Sequence, residues 1–268
     1  MMKKITVVLL VVLMAVASVF AGGSKEKSGD NSLEYIKSKG TFVLGLDDSF
    51  PPFGYRNEKN EIVGFDIDVA REVCKRLGVE LVLQPIDWDA KETELATKQI
   101  DCIWNGFTVT EERKKALTFS DSYVNNAQAV VVMNKSSYKT LSDLAGKTIG
   151  IQGGSSAADA IDETASFKNS IKGVVEFNDN LMAIMDLEIG GCDAVVMDLL
   201  VAIEVAKTKD IRILDEVLAQ EEYAVGFRLG EIKLAEAVNE QMKAMAADGT
   251  MAQIAIKWLG ADITTIGK

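Results

Sequence analysis

The chain has 268 residues, of which 48% are apolar and 26% charged, a composition typical of a globular protein with one large domain or two smaller ones. It carries 29 Lys and Arg residues against 40 Asp and Glu, and the net charge of −11 argues against a nucleic-acid-binding protein. Histidine is absent, which excludes Ser-His-Asp triads and histidine-bound zinc. Cys74, Cys102 and Cys192 are too widely spaced for a cysteine-rich metal centre, so we expect no metal and no cofactor.

Residues 1–22 have the pattern of an export signal. A basic start precedes an apolar run from Ile5 to Val16, and small residues follow it. An uncleaved membrane anchor is the alternative, although the run is short for a bilayer-spanning helix of about 20 residues. Residues 23–32 are small and polar and predict a disordered leader, and the glycines after Ala21 leave no cysteine to carry a lipid. We therefore expect an exported protein, in the periplasm or on the extracytoplasmic face of the membrane.

Beyond this leader, predicted strands and helices alternate in two successive sets. An apolar stripe with four-residue spacing predicts a helix that opens at Gly64 and ends at Gly78. The other predicted helices lie near 91–98, after Thr110, after Ser156, at 181–189 and from Glu231 onward. The predicted strands are 41–46, 79–83, 102–104, 129–133, 147–151, 174–177 and 194–197. Such alternation predicts largely parallel sheets covered by helices, and two sets predict two α/β lobes.

Five short segments carry more specific motifs than this periodicity. They are DDSFPPF at 47–53, GFDIDVAREVC at 64–74, GFTVTEER at 106–113, GIQGGSS at 150–156 and DAVVMD at 193–198. In this order they resemble the extracellular solute-binding proteins of polar amino-acid ABC transporters, bacterial family 3, and the resemblance extends over residues 33–261.

The resemblance implies an α/β fold with two lobes, the periplasmic-binding-protein fold, in which each lobe is a mostly parallel sheet flanked by helices. Residues 33–123 and 224–268 would form lobe one, and residues 128–219 would form lobe two. Two hinge strands, at 123–127 and 220–223, would join them. The ligand would lie between the lobes at the carboxyl ends of the strands, where open sheets bind ligands.

A free amino acid carries a carboxylate and an ammonium, and a binding site has to replace the water around both. Thr110 is a good N-cap, which places Arg113 in the first turn of a helix, where its guanidinium can donate two hydrogen bonds to a carboxylate. The resemblance gives Arg113 this role. From the residues alone, a surface arginine paired with Glu112 or Asp121 is the alternative.

Five further residues resemble positions that contact the same two charged groups. Ser155 and Ser156 open a helix, and a helix N-terminus favours an anion, although a plain N-cap serine would look the same. Gly106 and Thr108 resemble residues whose carbonyl and hydroxyl contact the ammonium and the carboxylate. Asp198 would pair with the ammonium, with a simple N-cap as its alternative role.

Four residues correspond to the positions around the ligand's side chain. Phe50 and Trp88 would flank it, although on composition alone they would be core residues. An acidic Asp47 with a neutral Gln152 predicts a side chain that donates hydrogen bonds. Basic amino acids, glutamine and cystine all satisfy that requirement.

The resemblance therefore implies a binding protein and not an enzyme. Its partners would be a free amino acid and the ABC transporter permease in the membrane, and the protein would act as a monomer. A dehydratase of cyclic precursors of aromatic amino acids is the alternative on the same fold, and it would need a general acid beside a ring-sized pocket. A detached sensor domain is a third interpretation.

Overall fold

The structure, a computed structural model, describes residues 29–268, and the predicted export signal therefore lies outside the described residues. The strands are β1 (Thr41–Leu46), β2 (Ser49–Phe50), β3 (Gly54–Arg56), β4 (Ile62–Val63), β5 (Glu80–Pro85), β6 (Cys102–Ile103), β7 (Leu117–Phe119), β8 (Val124–Met133), β9 (Thr148–Gln152), β10 (Gly173–Phe177), β11 (Ala194–Asp198), β12 (Ile211–Tyr223) and β13 (Gly226–Arg228). The helices are α1 (Ser32–Lys39), α2 (Phe65–Leu77), α3 (Lys91–Ala96), α4 (Arg113–Ala116), α5 (Ser156–Glu163), α6 (Ala165–Lys168), α7 (Asn180–Ile189), α8 (Leu199–Val205), α9 (Ile232–Ala247) and α10 (Thr250–Leu259). Between residues 29 and 268, no helix combines the length and the apolar character needed to cross a membrane.

The first five-stranded sheet has the order β5–β1–β6–β13–β7. Strand β1 is parallel to β5 and β6, whereas β13 is antiparallel to β6 and β7. Helix α2 covers this sheet with the predicted stripe, because Phe65, Val69 and Val73 are fully buried. It ends at Gly78, whose φ of 73° gives the left-handed turn that closes many helices. We call the part of the molecule built on this sheet lobe one.

The second five-stranded sheet has the order β10–β9–β11–β8–β12, and the part built on it is called lobe two. Strand β9 is parallel to β10 and β11, and β8 is antiparallel to β11 and β12. Both sheets are therefore mixed, although alternation predicted largely parallel ones. The physical reason is that β8, which runs antiparallel to its neighbours β11 and β12, and the strands β7, β12 and β13, which carry no clear alternation with helices, add the antiparallel pairings.

The chain passes between the two sheets twice, along segments that lie side by side. Four residues separate the end of β7 from the start of β8, and β12 ends just before β13. The two strands pair antiparallel as far as Val124 and Tyr223, and the Tyr123 N–H donates to the Tyr223 carbonyl at 2.9 Å. That these segments bend as hinges at 123–127 and 220–223 stays a prediction, as do the lobe boundaries.

Candidate functional site

The carboxyl ends of several strands from both lobes meet around one small cavity. Asp47 follows β1, Gln152 ends β9 and Asp198 ends β11, as expected where parallel strands finish at the same edge of a sheet. The cavity has a volume of about 240 Å³, which includes space open to solvent. Every predicted ligand-binding residue except Asp47 lines it, namely Phe50, Trp88, Gly106, Thr108, Arg113, Gln152, Ser155, Ser156 and Asp198.

Arg113 begins helix α4 and is 8% exposed. Its backbone N–H donates to the Thr110 hydroxyl at 3.1 Å, so Thr110 holds the start of this turn as predicted. The guanidinium donates from Nη1 to the Thr108 carbonyl at 2.9 Å and from Nη2 to the Gly154 carbonyl of lobe two at 3.1 Å. It lies 4.5 Å from the centre of the Phe107 ring. A surface ion pair is therefore not its role.

The guanidinium of Arg113 has carbonyl partners but no carboxylate partner. Within residues 29–268, no Asp or Glu oxygen lies within 4.0 Å of it, and Asp121, one proposed surface partner, pairs with Lys243 at 2.6 Å. Burial lowers the pKa of Arg113 from its ordinary value, while more distant acidic groups oppose that shift. An arginine remains protonated under these conditions, so this end of the cavity carries a buried positive charge with no carboxylate in direct contact.

The two serines at the start of α5 have different roles. Ser155 is the N-cap, because its hydroxyl accepts from the Ala157 N–H at 3.3 Å and donates to the Gln152 carbonyl at 2.7 Å. Ser156 is buried and its hydroxyl donates to the hydroxyl of Thr108, on lobe one, at 3.2 Å. Ser156 therefore links the lobes beside Arg113, whereas the contacts of Ser155 are those of an ordinary cap.

Asp198, which lines the cavity, shares the amide of Asn126 with a second carboxylate, Glu221, which does not line it. Asn126 donates from Nδ2 to Asp198 at 2.7 Å and to Glu221 at 3.1 Å. Asp198 also accepts from the Tyr223 hydroxyl at 2.6 Å, and its side chain makes no capping bond to α8. Burial, and next the negative charge of Glu221, raise the pKa of Asp198 to about 7. A positively charged group placed here would favour the ionised carboxylate.

Asp47 and Gln152 meet across the cleft at the opposite end of the cavity. Gln152 donates from Nε2 to Asp47 Oδ2 at 2.8 Å, and its Oε1 accepts from the Asn180 side chain at 3.0 Å. The other oxygen of Asp47 accepts from the Ser49 N–H at 2.8 Å. Burial raises the pKa of Asp47 to about 6, although these hydrogen bonds work in the opposite direction.

Gly106 sits where a side chain would not fit. Its φ is 57°, and a Cβ atom added there would lie 2.7 Å from the Phe50 ring. Its N–H donates at 2.7 Å to Asp66, a fully buried acid of the segment 64–74. Burial raises the pKa of Asp66 to about 7. This glycine brings the backbone close to the cavity, and Asp66 fixes the direction of its peptide group.

Three residues next to the cavity escaped sequence reasoning: Lys91, Glu221 and Asp66. Lys91 is only 4% exposed and its Nζ contacts the Gly154 carbonyl of lobe two at 2.7 Å. A lysine at the start of a helix is ordinarily a solvated residue, so the sequence carried no signal for it. Glu221 lies in the predicted hinge 220–223, and Asp66 lies in the motif at 64–74. The positions of both residues in the sequence could therefore have indicated that they lie near the cavity.

Three comparisons with known proteins bear on the family and the fold of this chain. The family model of "Bacterial extracellular solute-binding proteins, family 3" matches residues 42–261. The L-cystine-binding protein TcyJ of Escherichia coli K12 is 33% identical over 258 residues, which cover 94% of this chain and 95% of that protein.

Two solved structures share the fold along nearly their whole length. The structure of Tv2483 bound to L-arginine has a TM-score of 0.87 and 32% identity, and the match covers 90% of this chain and 99% of that one. A substrate-binding protein of an ABC uptake transporter from Streptococcus pneumoniae, with bound histidine, has a TM-score of 0.85 and 34% identity, with coverage of 89% and 99%.

Proposed function

The chain belongs to family 3 of the bacterial extracellular solute-binding proteins, and on this premise we propose that it captures a free α-amino acid between its lobes and delivers it to an ABC importer. Proteins of this family are exported, and we place this one in the periplasm or on the extracytoplasmic face of the membrane. We further propose that it acts as a monomer.

The buried guanidinium of Arg113 is the observation that carries the proposal. A cation with only carbonyl partners, inside a closed cavity, is costly unless an anion joins it. The ligand's α-carboxylate supplies that anion and accepts hydrogen bonds from the remaining N–H groups of the Arg113 guanidinium. The Ser156 hydroxyl donates to the Thr108 hydroxyl, which donates to Glu221 at 3.1 Å, and both hydroxyls would exchange these acceptors for the same ligand carboxylate.

The ligand's α-ammonium pairs with Asp198. Asp198 accepts hydrogen bonds from Asn126 and Tyr223 and so holds a defined position on lobe two. Glu221, which shares the Asn126 amide, adds a second negative charge behind it. A zwitterion therefore finds its positive charge facing Asp198 and its negative charge facing Arg113.

The ligand's side chain extends towards Asp47 and Gln152, between Phe50 and Trp88. A carboxylate and an amide at this end favour a polar or basic side chain, and relatives that bind cystine, arginine and histidine support this class. The protein performs no chemistry on the ligand: its carboxylates serve as hydrogen-bond acceptors, and its similar proteins carry the names of binding proteins.

Isothermal titration calorimetry with the twenty amino acids and cystine tests the proposal directly. We expect micromolar or tighter binding of at least one polar or basic amino acid, which mass spectrometry then recovers unaltered from the complex. Absence of binding by every amino acid would overturn the proposal. Conversion of the ligand into a product would establish an enzyme instead.

A further inference from the structure

Both hydrogens of the Gln152 side-chain amide are already in hydrogen bonds. Gln152 ends β9 and is 2% exposed, and its Nε2 group donates to Asp47 Oδ2 at 2.8 Å and to the Asn178 carbonyl at 3.2 Å. The Oε1 atom accepts from Asn180 Nδ2 at 3.0 Å and retains a second lone pair. In this orientation Gln152 can offer a ligand an acceptor but no donor.

Two of these three contacts lie within lobe two. Strand β10 ends beside Gln152, and Asn178 and Asn180 follow it in the chain. Helix α7 begins at Asn180, and the side chain of Asp179 caps it by accepting a backbone N–H of the first turn at 2.7 Å. The amide of Gln152 is therefore held by its own lobe, and only the contact with Asp47 requires the lobes to meet.

The donor from Asn180 favours the observed orientation of the Gln152 amide over the inverted one. Inversion would turn Nε2 towards the Asn180 Nδ2 group and Oε1 towards the Asn178 carbonyl, so that donor would face donor and acceptor would face acceptor. Asn180 is only 1% exposed, and an unpaired buried polar group is costly. Asn180 and the carbonyl of residue 178 therefore fix the amide before Asp47 contacts it.

The orientation of the Gln152 amide also affects the charge of Asp47. Burial raises the pKa of Asp47 to about 6, the hydrogen bonds from Gln152 and Ser49 oppose this shift, and the charges of Asp179 and Asp48 add to it. An inverted amide would withdraw the hydrogen bond from Gln152, so Asp47 would ionise less readily. In the observed orientation Asp47 is ionised at neutral pH, and the pair presents only acceptors to a ligand.

We propose that Asn180, which does not line the cavity, is a positioning residue for selectivity: by holding Gln152 Oε1 it keeps the Gln152 hydrogens away from the ligand. Because this role rests on the proposed function, it narrows the ligand's side chain to one with a cationic donor, a guanidinium or an ammonium. Such a group fits the acceptors of Asp47 and Gln152. A lone side-chain carboxylate would find no donor in this pair and would face a like charge, so acidic amino acids are rejected.

NMR of the ligand-free protein tests the position of the amide directly. The two Nε2 hydrogens of Gln152 are assigned by their loss in Gln152→Met. We expect them to exchange with solvent at least tenfold more slowly than those of Gln253, an exposed glutamine of α10. Asn180→Leu, which removes the donor at similar volume, should accelerate this exchange severalfold. Asn169→Leu, which replaces an exposed asparagine of lobe two, is the matched control and should not change it.

Calorimetry tests the selectivity, with arginine, lysine, cystine and glutamate as probes. We expect the wild type to bind the tightest of the first three at least tenfold more tightly than glutamate. A neutral hydrogen bond corresponds to a factor of about five, so Asn180→Leu should weaken binding of that ligand about fivefold. In the Gln152→Met background the same substitution should have no further effect, because Asn180 acts through Gln152.

Three results would overturn the role of Asn180 in a wild type that binds an amino acid. They are exchange of the Gln152 amide as fast as that of Gln253, an equal loss of affinity on Asn180→Leu in both backgrounds, and a tightest ligand without a cationic side chain. The second result would mean that Asn180 only supports the fold. If the wild type binds no amino acid at all, the proposed function itself fails, and the selectivity fails with it.

Discussion

The two ends of the cavity join the lobes by opposite means. At the Arg113 end, two buried cations of lobe one face the Gly154 carbonyl of lobe two, and neither has a carboxylate within 4.0 Å among residues 29–268. At the Asp47 end, a carboxylate of lobe one accepts from Gln152 of lobe two, whose other amide atom is bound by Asn180. At the first end the cations have no carboxylate in contact, whereas at the second end the carboxylate and the amide already make hydrogen bonds to each other and to their neighbours.

This difference assigns separate tasks to the two ends. An amino acid's carboxylate gains much at the Arg113 end, because it joins a buried cation that has no carboxylate in direct contact. A side chain gains at the Asp47 end only if it replaces the hydrogen bond from Gln152 with one at least as good, since unpaired buried groups are costly. We therefore expect affinity to depend mainly on Arg113 and selectivity mainly on Asp47.

Removal of the guanidinium should have the largest effect. Arg113→Ala leaves the ligand's carboxylate buried without a charged partner, which costs about 3–5 kcal/mol, so affinity for every amino acid should fall by at least about a hundredfold. Calorimetry measures the loss. Arg71→Ala, on the exposed surface of α2, is the matched control. If the affinity of Arg113→Ala for amino acids is within threefold of the wild-type affinity, Arg113 does not bind the ligand's carboxylate.

The pH dependence of binding tests the role of Asp198. The pKa of Asp198 is raised to about 7, with Glu221 and Tyr223 as its titratable neighbours, and the ligand's ammonium should lower it again. Binding then releases a proton below pH 7, so affinity is constant above that pH and falls by up to about tenfold per pH unit below it. Asp47, whose pKa is raised to about 6, can add to the loss only at lower pH.

Calorimetric titrations from pH 8 to pH 5, in buffers of different ionisation enthalpy, count the released protons. We expect Asp198→Asn to bind more weakly at pH 8 and to lose the dependence between pH 8 and pH 6. A wild-type affinity that is equal at pH 8 and pH 5 would show that Asp198 does not face the ammonium.

Substitution of Asp47 should have the smallest effect and the most selective one. Asp47→Ala removes the acceptor for a basic or amide side chain, so those ligands should bind about tenfold more weakly, as for a charged hydrogen bond, while apolar amino acids change little. Asp48→Ala, which removes the neighbouring, more exposed acid, is the control in the same calorimetric panel. An equal loss of affinity for all ligands would mean that Asp47 contacts the ligand's ammonium, and it would contradict the division of roles between the two ends.

Local sequence patterns predicted much of this molecule. The stripe of α2 and its end at Gly78 follow from residues a few positions apart, and the structure confirms both. The residues chosen by family resemblance line one cavity, with Asp47 hydrogen-bonded at its edge, although their role in binding stays a prediction. The prediction of mostly parallel sheets was incomplete, because the antiparallel strands β12 and β13 pair with distant parts of the chain and leave no local alternation.

By itself, therefore, the sequence determined several of the helices and buried strands and some of the residues at strand ends, since periodicity and capping depend on near neighbours. Only the tertiary structure decided which residues contact each other across the cleft. Lys91 and Gly154 are 63 positions apart, and Asp47 and Gln152 are 105 apart. Their contacts exist because two separately folded sheets close on each other, and no spacing along the chain encodes that approach.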